Sequence, residues 1–521
     1  MPTNFKIPDF KFPDFKISAP PPFRTPHMPL FLALDQSTSA TKALLFDRAG
    51  RALDRESREH RQFYPQPGWV EHDAEEIWQN ALAALGALLA RQSARIDEIA
   101  ALSLTNQRET VVVFDRASGR PLIPAIVWQC RRGDVLCAWH HEAGAEPLVR
   151  ERTGLKLDAY FSASKLQWLV RHRPEIRAAL ADGSALIGTI DTYLVYRLTG
   201  GRVFATDMTN ASRTLLFDLD RLRWDEELCA LWEVPVRALP EIRESFARFG
   251  ETTLEGQLAR PVPICGIMGD SQASLFAQRC FAPGAAKVTF GTGSSVLLNI
   301  GATRLPAAPG VLTALAWVHR GVPTYAFEGL IISSASTLTW LRDQLGLARE
   351  VAELEQLATA VPDNGGVYLV PAFTGLGLPH WRPAARAAIS GLSSHSDRRH
   401  VARAAFESIA YQIRDALAAL RGDSLLPQGV LHADGGPTAS RFLMQFTADI
   451  IGAELRVATM ADCSALGAVL AGQLGLGMVA SIPDLASAPR EETVYRPSLP
   501  AERVASLCAG WHSAVHQVLA P

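Results

Sequence analysis

The residues able to do chemistry in this 521-residue chain stand at the ends of apolar runs. The run 264–269 (Ile-Cys-Gly-Ile-Met-Gly) is followed by Asp270-Ser271-Gln272-Ala273-Ser274, which reads as strand, tight turn and helix start. Gly269 permits a sharp turn, so Asp270 falls at a strand end beside a helix N-terminus. Two roles are open to a carboxylate there. It can cap the helix by accepting free N–H groups, or it can take a proton from a hydroxyl held in a cleft. A second apolar run, 30–34, ends in Asp35 and then Gln36-Ser37-Thr38-Ser39-Ala40-Thr41, before Lys42 opens the return strand. Hydroxyls and free backbone N–H groups at such a hairpin tip can hold phosphate oxygens, and the carboxylate can hold a metal ion. An ordinary polar turn is the alternative. The strand-like 99–104 ends in Thr105-Asn106-Gln107-Arg108-Glu109, and 125–128 runs into Gln129-Cys130-Arg131-Arg132. Polar groups gathered at strand ends are where α/β proteins place ligands.

The elements that must position these residues repeat. In the second half, 286–290 reads as a strand, Gly291-Thr292-Gly293-Ser294-Ser295 as a glycine-and-hydroxyl corner, and 296–300 as the return. Two copies of strand, hydroxyl-rich turn and strand imply a duplicated domain. Around the first copy, Asp73 and Glu76 form a capping-box pattern ahead of an amphipathic helix. Residues 145–262 read as more helical and less regular. Around the second copy, helices are expected over 333–345 and 401–421 and from about 439. The run 430–434 ends in Asp434-Gly435-Gly436, a glycine turn on which a ligand can approach the backbone.

Length and composition bound the class. The chain exceeds one hydrophobic core, so two large domains are expected. Net charge is −2, with 51 basic and 53 acidic residues, which offers no field for nucleic acid or an anionic membrane. The 7 cysteines make no CxxC pair and are odd in number, which suggests neither a disulfide framework nor a zinc site and suits a reducing cytoplasm. No apolar run is long enough to span a membrane. Residues 1–29, where Phe5-Lys6-Ile7-Pro8-Asp9 recurs as Phe10-Lys11-Phe12-Pro13-Asp14, read as a disordered tail. A docking role and a start of the protein at Met28 both stay open for it. There is no Walker A loop, no dinucleotide fingerprint and no HExxH. Ser271 lacks the second glycine of a nucleophile elbow.

Taken in order, Asp35-Gln36-Ser37-Thr38, Thr105 to Thr110, Ala125 to Arg132, Asp270, Gly291-Thr292-Gly293, Pro371 to Gly377 and Asp434-Gly435-Gly436 resemble the FGGY carbohydrate kinases. The segments Trp69 to Asp73, Thr209 to Arg213 and Phe442 to Phe446 are most similar to the glycerol-phosphorylating members. The resemblance runs over roughly residues 30–515. It implies an actin/hexokinase-like (ribonuclease H-like) α/β fold of two duplicated domains, 30–278 and 279–521, with a cleft between them. It implies ATP as phosphoryl donor, Mg²⁺, and a small polyol as substrate, with glycerol leading. A larger polyol or ketose of the erythritol, xylitol or ribulose type is the alternative, and a non-catalytic sugar sensor is the alternative of another class. By the same resemblance Asp270 is the general base and Asp35 organises the metal. Thr38, Ser39, Lys42 and Thr292 serve the phosphates, and Gly436 lies under the adenosine, with Ala335, Thr339 and Ser440 near it. Arg108, Glu109, Trp128 and Tyr160, with Asp270 and Ser271, line the polyol site. Homodimers or homotetramers are usual for resembling enzymes.

The chain departs from the pattern at several of these positions. Ser271 and Ser295 stand where Gln and Phe are usual, which implies a wider and more polar pocket. Lys42 replaces a usual Arg. Ala335, Thr339 and Ser440 stand where Gly, Gln and Asn are usual. Residues 254–260 lack the glycine-rich loop that binds fructose bisphosphate in some members, so no such inhibition is expected.

Overall fold

A computed structural model describes residues 29–422, 429–487 and 490–520 of the chain. The expected tail therefore lies, but for Pro29, outside the described residues. Two large mixed sheets organise the rest.

The first sheet is built on a meander of β1 (Leu30–Gln36), β2 (Ala40–Phe46) and β3 (Ala52–Glu59). Helix α1 (Ala74–Arg91) follows, then β4 (Ile99–Asn106), β5 (Arg248–Thr252) and β6 (Val262–Gly269), and the spatial order is β5-β6-β4-β1-β2-β3. β1 is buried along its whole length and lies parallel to β4, which lies parallel to β6. Buried parallel strands are continuous apolar runs, and the polar residues collect where they end. β2 begins two residues earlier than expected, because Ala40 and Thr41 already pair with Glu59 and Arg58.

The second sheet contains β7 (Ala286–Phe290), β8 (Ser294–Gly301), β9 (Leu312–His319), β10 (Val322–Ile331), β11 (Leu431–Asp434), β12 (Leu455–Ala458) and β13 (Glu492–Tyr495). Their order is β9-β10-β8-β7-β11-β12-β13. In both sheets an antiparallel hairpin abuts a strand parallel to its first arm, β4 beside β1 and β11 beside β7. The repeat inferred from the hydroxyl corners is thus a repeat of topology. A third, smaller sheet holds Val111–Asp115, Ala125–Ile126 and Ala185–Thr189. Trp128 and Tyr160 pack on its apolar cluster.

Helix packing closes the gap between the two large sheets. The helices that bear on the site are α2 (Ser162–His172), α3 (Met208–Ala211), α4 (Asp270–Ala277), α5 (Arg398–Arg421), α6 (Arg441–Ile451) and α7 (Cys463–Gly475). α1 buries Ile77, Trp78, Leu82, Leu85, Leu88 and Leu89, each such side chain stabilising by about 1.5–3 kcal/mol. Asp73 caps α1 by accepting from Glu75 and Glu76 N–H, which is one half of the expected box. α7 lies so close to α4 that a Cβ on Gly467 would sit 1.8 Å from the Ala273 carbonyl oxygen. α4, which begins with Asp270, is fixed by that contact. The helix expected over 333–345 is shorter, Ser336–Asp343, and the one expected from 439 begins at Arg441 after a 3-10 turn. Among the described residues no helix is long and apolar enough to cross a membrane. All 7 cysteines are free and buried.

Candidate active site

Asp270 stands where β6 ends and α4 begins. The N-cap position belongs to Gly269, so Asp270 is the first helical residue and not the cap. Its Oδ1 accepts from the Ser271 N–H at 2.6 Å and lies 3.1 Å from Arg108 Nε. The side chain is 40% exposed, so a carboxylate held by two donors still faces open space. Thr209 Oγ1, on α3, accepts from the Gly269 N–H and fixes the turn.

Arg108 follows β4 and is buried with its neighbour Glu109. Glu109 has φ 62°, a left-handed conformation costing a non-glycine residue about 1 kcal/mol, of the kind that clusters at functional sites. Arg108 Nη2 donates to Glu328 Oε1 at 3.0 Å and Nη1 to Gln272 Oε1 at 3.2 Å. Arg213 Nε donates to Glu109 Oε1 at 2.6 Å, and its Nη1 to Glu328 Oε2. The two guanidiniums therefore serve three carboxylates, those of Glu109, Glu328 and Asp270. Burial alone would raise the Glu328 carboxyl, but Arg108 and Arg213 outweigh it and bring it down to about 2. Glu109 goes the other way, because burial dominates over its share of Arg108 and Arg213. The excess negative charge is met by Lys287 on β7, a fully buried cation whose field reaches Asp434, Asp270 and Glu328. Lys287 Nζ donates to Thr289 Oγ1 at 2.7 Å, and burial lowers its pKa.

An aromatic wall stands over this charged floor. The rings of Trp128 and Tyr160 lie 5.2 Å apart, tilted by 56°. Trp128 Nε1 donates to Thr38 Oγ1 at 3.0 Å, linking the wall to the first hairpin. The Tyr160 phenol feels Glu109, Arg108, Arg213 and Glu328, and burial raises its pKa well above the ordinary value. Ser271 is buried at the foot of α4, and Ser295 Oγ donates to Glu328 Oε1 at 3.5 Å. Arg108, Glu109, Trp128, Tyr160, Asp270 and Ser271 are thus gathered in one place. The cluster offers donors, acceptors and an apolar face to a short hydroxylated carbon chain.

The residues expected at phosphates and nucleotide lie on the two hairpin tips and on the elements near the second one. Ser39 and Thr292 are exposed at the tips of their hairpins, and Thr38 is half-buried. The second tip is locked to the segment before the helix Ser336–Asp343: Ala335 N–H donates to the Gly291 carbonyl, and Ser334 N–H to that of Thr292. Gly293 has no room for a side chain, since a Cβ would lie 2.5 Å from the Ile331 carbonyl oxygen. Thr339 is exposed on the same helix, and Gly436 is exposed with open space where a Cβ would be. The strained glycine of that turn is Gly435, at φ +102°, whose Cβ would meet the Phe290 carbonyl oxygen at 1.9 Å. Two expected contacts are otherwise engaged. Lys42 Nζ lies 3.2 Å from both Asp35 Oδ2 and Asp462 Oδ1. Ser440 caps α6, accepting from Leu443 N–H and donating to Glu355 Oε1.

The donor set suits a hard cation held mainly through water and phosphate. Asp35 is buried and its carboxyl is raised, first by burial, while Lys42 opposes the rise and the charges of Asp462 and Asp270 add to it. A nearby cation relieves such a pair of carboxylates. Asp434 Oδ1 is buried without a hydrogen-bond partner, while its other oxygen accepts from Ser274. Among the described residues no three acidic, His or Cys side chains converge as a cage. Asp35, Asp270 and the hydroxyl-bearing hairpin tips are the residues able to share such an ion.

Sequence reasoning missed Glu328, Arg213 and Lys287 as members of the site. The available signal for Glu328 and Lys287 was a single charge inside an otherwise apolar strand, which can be buried only if paired.

Comparisons with known proteins bear on the family and the fold. Residues 30–277 match the N-terminal domain of the FGGY family of carbohydrate kinases, and residues 286–476 match its C-terminal domain. A protein of Desulfitobacterium hafniense named glycerol kinase is 45% identical over 488 residues, covering 94% of this chain and 99% of the relative. One of Methylibium petroleiphilum, also named glycerol kinase, is 46% identical over 500 residues, covering 95% and 100%. The crystal structure of Plasmodium falciparum glycerol kinase with ADP superposes with a TM-score of 0.87 at 33% identity, covering 95% of this chain and 99% of that one.

Proposed function

The chain belongs to the FGGY family of carbohydrate kinases, and on that premise we propose that it transfers the γ-phosphoryl group of ATP to a hydroxyl of glycerol, giving sn-glycerol 3-phosphate. The observation that carries this reading is the placement of Asp270, part-exposed, beside the buried Arg108–Glu109 pair and at the junction of the two sheets. The names of the relatives favour glycerol over a larger polyol, and a kinase over a sensor. The reading assigns the polyol site and first phosphate hairpin to residues 30–278, and the second hairpin and adenosine side to 279–521.

In this mechanism Arg108 donates to, and Glu109 accepts from, neighbouring glycerol hydroxyls, while Trp128 and Tyr160 cover the carbon backbone. Asp270 takes the proton of the attacking hydroxyl. The freed oxygen forms the new bond to the γ-phosphorus as the bond to the β-phosphate oxygen breaks, and ADP leaves. Phosphoryl transfer asks for alignment and charge neutralisation more than for covalent chemistry by the protein. Thr38, Ser39 and Thr292 hold phosphate oxygens, and Gly436 leaves space for the adenosine. Lys42 holds Asp35 in place. Asp35, with Asp270 close by, would hold Mg²⁺ in part through water, and the ion would supply neutralisation of phosphate charge.

The test is ADP release from ATP, Mg²⁺ and glycerol. Asp270→Asn is expected to lower kcat by ~10²–10⁴-fold, the usual worth of a general base. Full activity in that variant, or no turnover of glycerol by the unmodified protein, overturns the reading.

A further inference from the structure

Lys165 lies in the first turn of α2 and is 0% exposed. Its ammonium makes no approach to solvent. It donates to the carbonyl oxygen of Ala159, to that of Tyr160 at 2.9 Å and to that of Phe161 at 3.0 Å. An ammonium has three N–H donors and no acceptor, so these three bonds use it completely. Three successive carbonyl dipoles aimed at one point repel one another, and a cation at that point is what makes the conformation favourable. The turn so held is the one that presents Tyr160 against Trp128, at 5.2 Å between rings, and over Arg108 and Glu109. The other end of the turn is tied to the same place, since Ser162 Oγ donates to the Glu109 carbonyl at 2.9 Å.

We propose that Lys165 is a positioning residue for the polyol site, gathering the three carbonyls of the turn that carries Tyr160 and thereby setting affinity for the polyol without touching it. This rests on the reading of Tyr160 as a wall of that site. A neutral amine has two N–H groups and must release one carbonyl, so deprotonation loosens the turn. Burial brings the Lys165 ammonium down to about 8. The groups whose fields reach it are Cys130, Glu109, Cys137 and Asp158. Of these, Cys137 is pushed up to about 12 by burial.

The test measures glycerol and ATP kinetics for Lys165→Met, Tyr160→Ala and the double variant. Lys165→Met is expected to raise the KM for glycerol about tenfold, the loss of one charged hydrogen bond's worth of positioning. Its kcat and its KM for ATP should change less than about twofold by the same logic, since neither depends on the turn. In the Tyr160→Ala background, Lys165→Met should add nothing further to the glycerol KM. A full further rise in that background shows a general folding role and overturns the proposal. An unchanged glycerol KM in Lys165→Met, with a raised one in Tyr160→Ala, overturns the proposal alone. An unchanged KM in Tyr160→Ala overturns the site reading on which it rests. Should Lys165→Met fail to fold, the unmodified protein decides. Its glycerol KM must rise between about pH 7 and 10, across the deprotonation of the lysine, and a flat profile refutes the role.

Discussion

Removing the negative charge of Glu328 tests the charged floor of the site most directly. Glu328→Gln keeps the shape but turns one of the two acceptor oxygens into an N–H donor, so it can accept from only one of Arg108 and Arg213 and leaves both buried with less charge to balance them. The carboxyl lies at about 2 in the folded protein against an ordinary 4.5. That difference, 4.5 − 2, at 1.36 kcal/mol per pH unit, corresponds to about 3 kcal/mol. It agrees with the ~3–5 kcal/mol lost when one partner of a buried pair is removed. For a unit of roughly 250 residues, such a loss lowers Tm by about 6–12 °C. The sign with pH follows from the depressed value. The stabilisation is complete above 4.5 and is lost as pH falls towards 2, so the gap between the two proteins is widest near neutrality and narrows in acid. The assay is thermal unfolding of the ligand-free proteins at a series of pH values, read by tryptophan fluorescence. A Tm at pH 7 within about 1 °C of the unmodified protein, or a gap that does not shrink in acid, would refute the account. Activity gives an independent reading. Arg108 loses a fixed partner, so the KM for glycerol should rise more than the KM for ATP.

Two further outcomes follow from particular contacts. Gly467→Ala places a Cβ 1.8 Å from the Ala273 carbonyl oxygen and must part α7 from α4. It should destabilise the protein by ~1–3 kcal/mol, and it should lower kcat, since α4 begins at Asp270; chemical denaturation and steady-state rates measure both. Ser271→Gln combined with Ser295→Phe narrows the polyol pocket and adds an amide to it, and glycerol kcat/KM should rise severalfold by better-matched contacts. An unchanged or lower value means that the small residues suit glycerol as they stand.

The sequence was enough for the parts of the site that lie at the ends of apolar runs. A buried strand must end in polar residues where its backbone leaves the core, so Asp35, Arg108, Glu109 and Asp270 announced themselves locally. The doubled hydroxyl corner likewise disclosed a duplication, because hairpin tips are local structures. Tertiary structure decided which charges meet. Arg108 and Glu328 are 220 residues apart in sequence, and Arg213 and Glu328 are 115 apart. Only the apposition of β10 to the end of β4 makes them one network, and a charge inside an apolar run does not name its distant partner. The same holds for Asp270. A carboxylate in the first turn of a helix is chemically ambiguous by itself. The fold leaves it 40% exposed beside Arg108, and the proposed role as proton acceptor rests on that accessibility and neighbour.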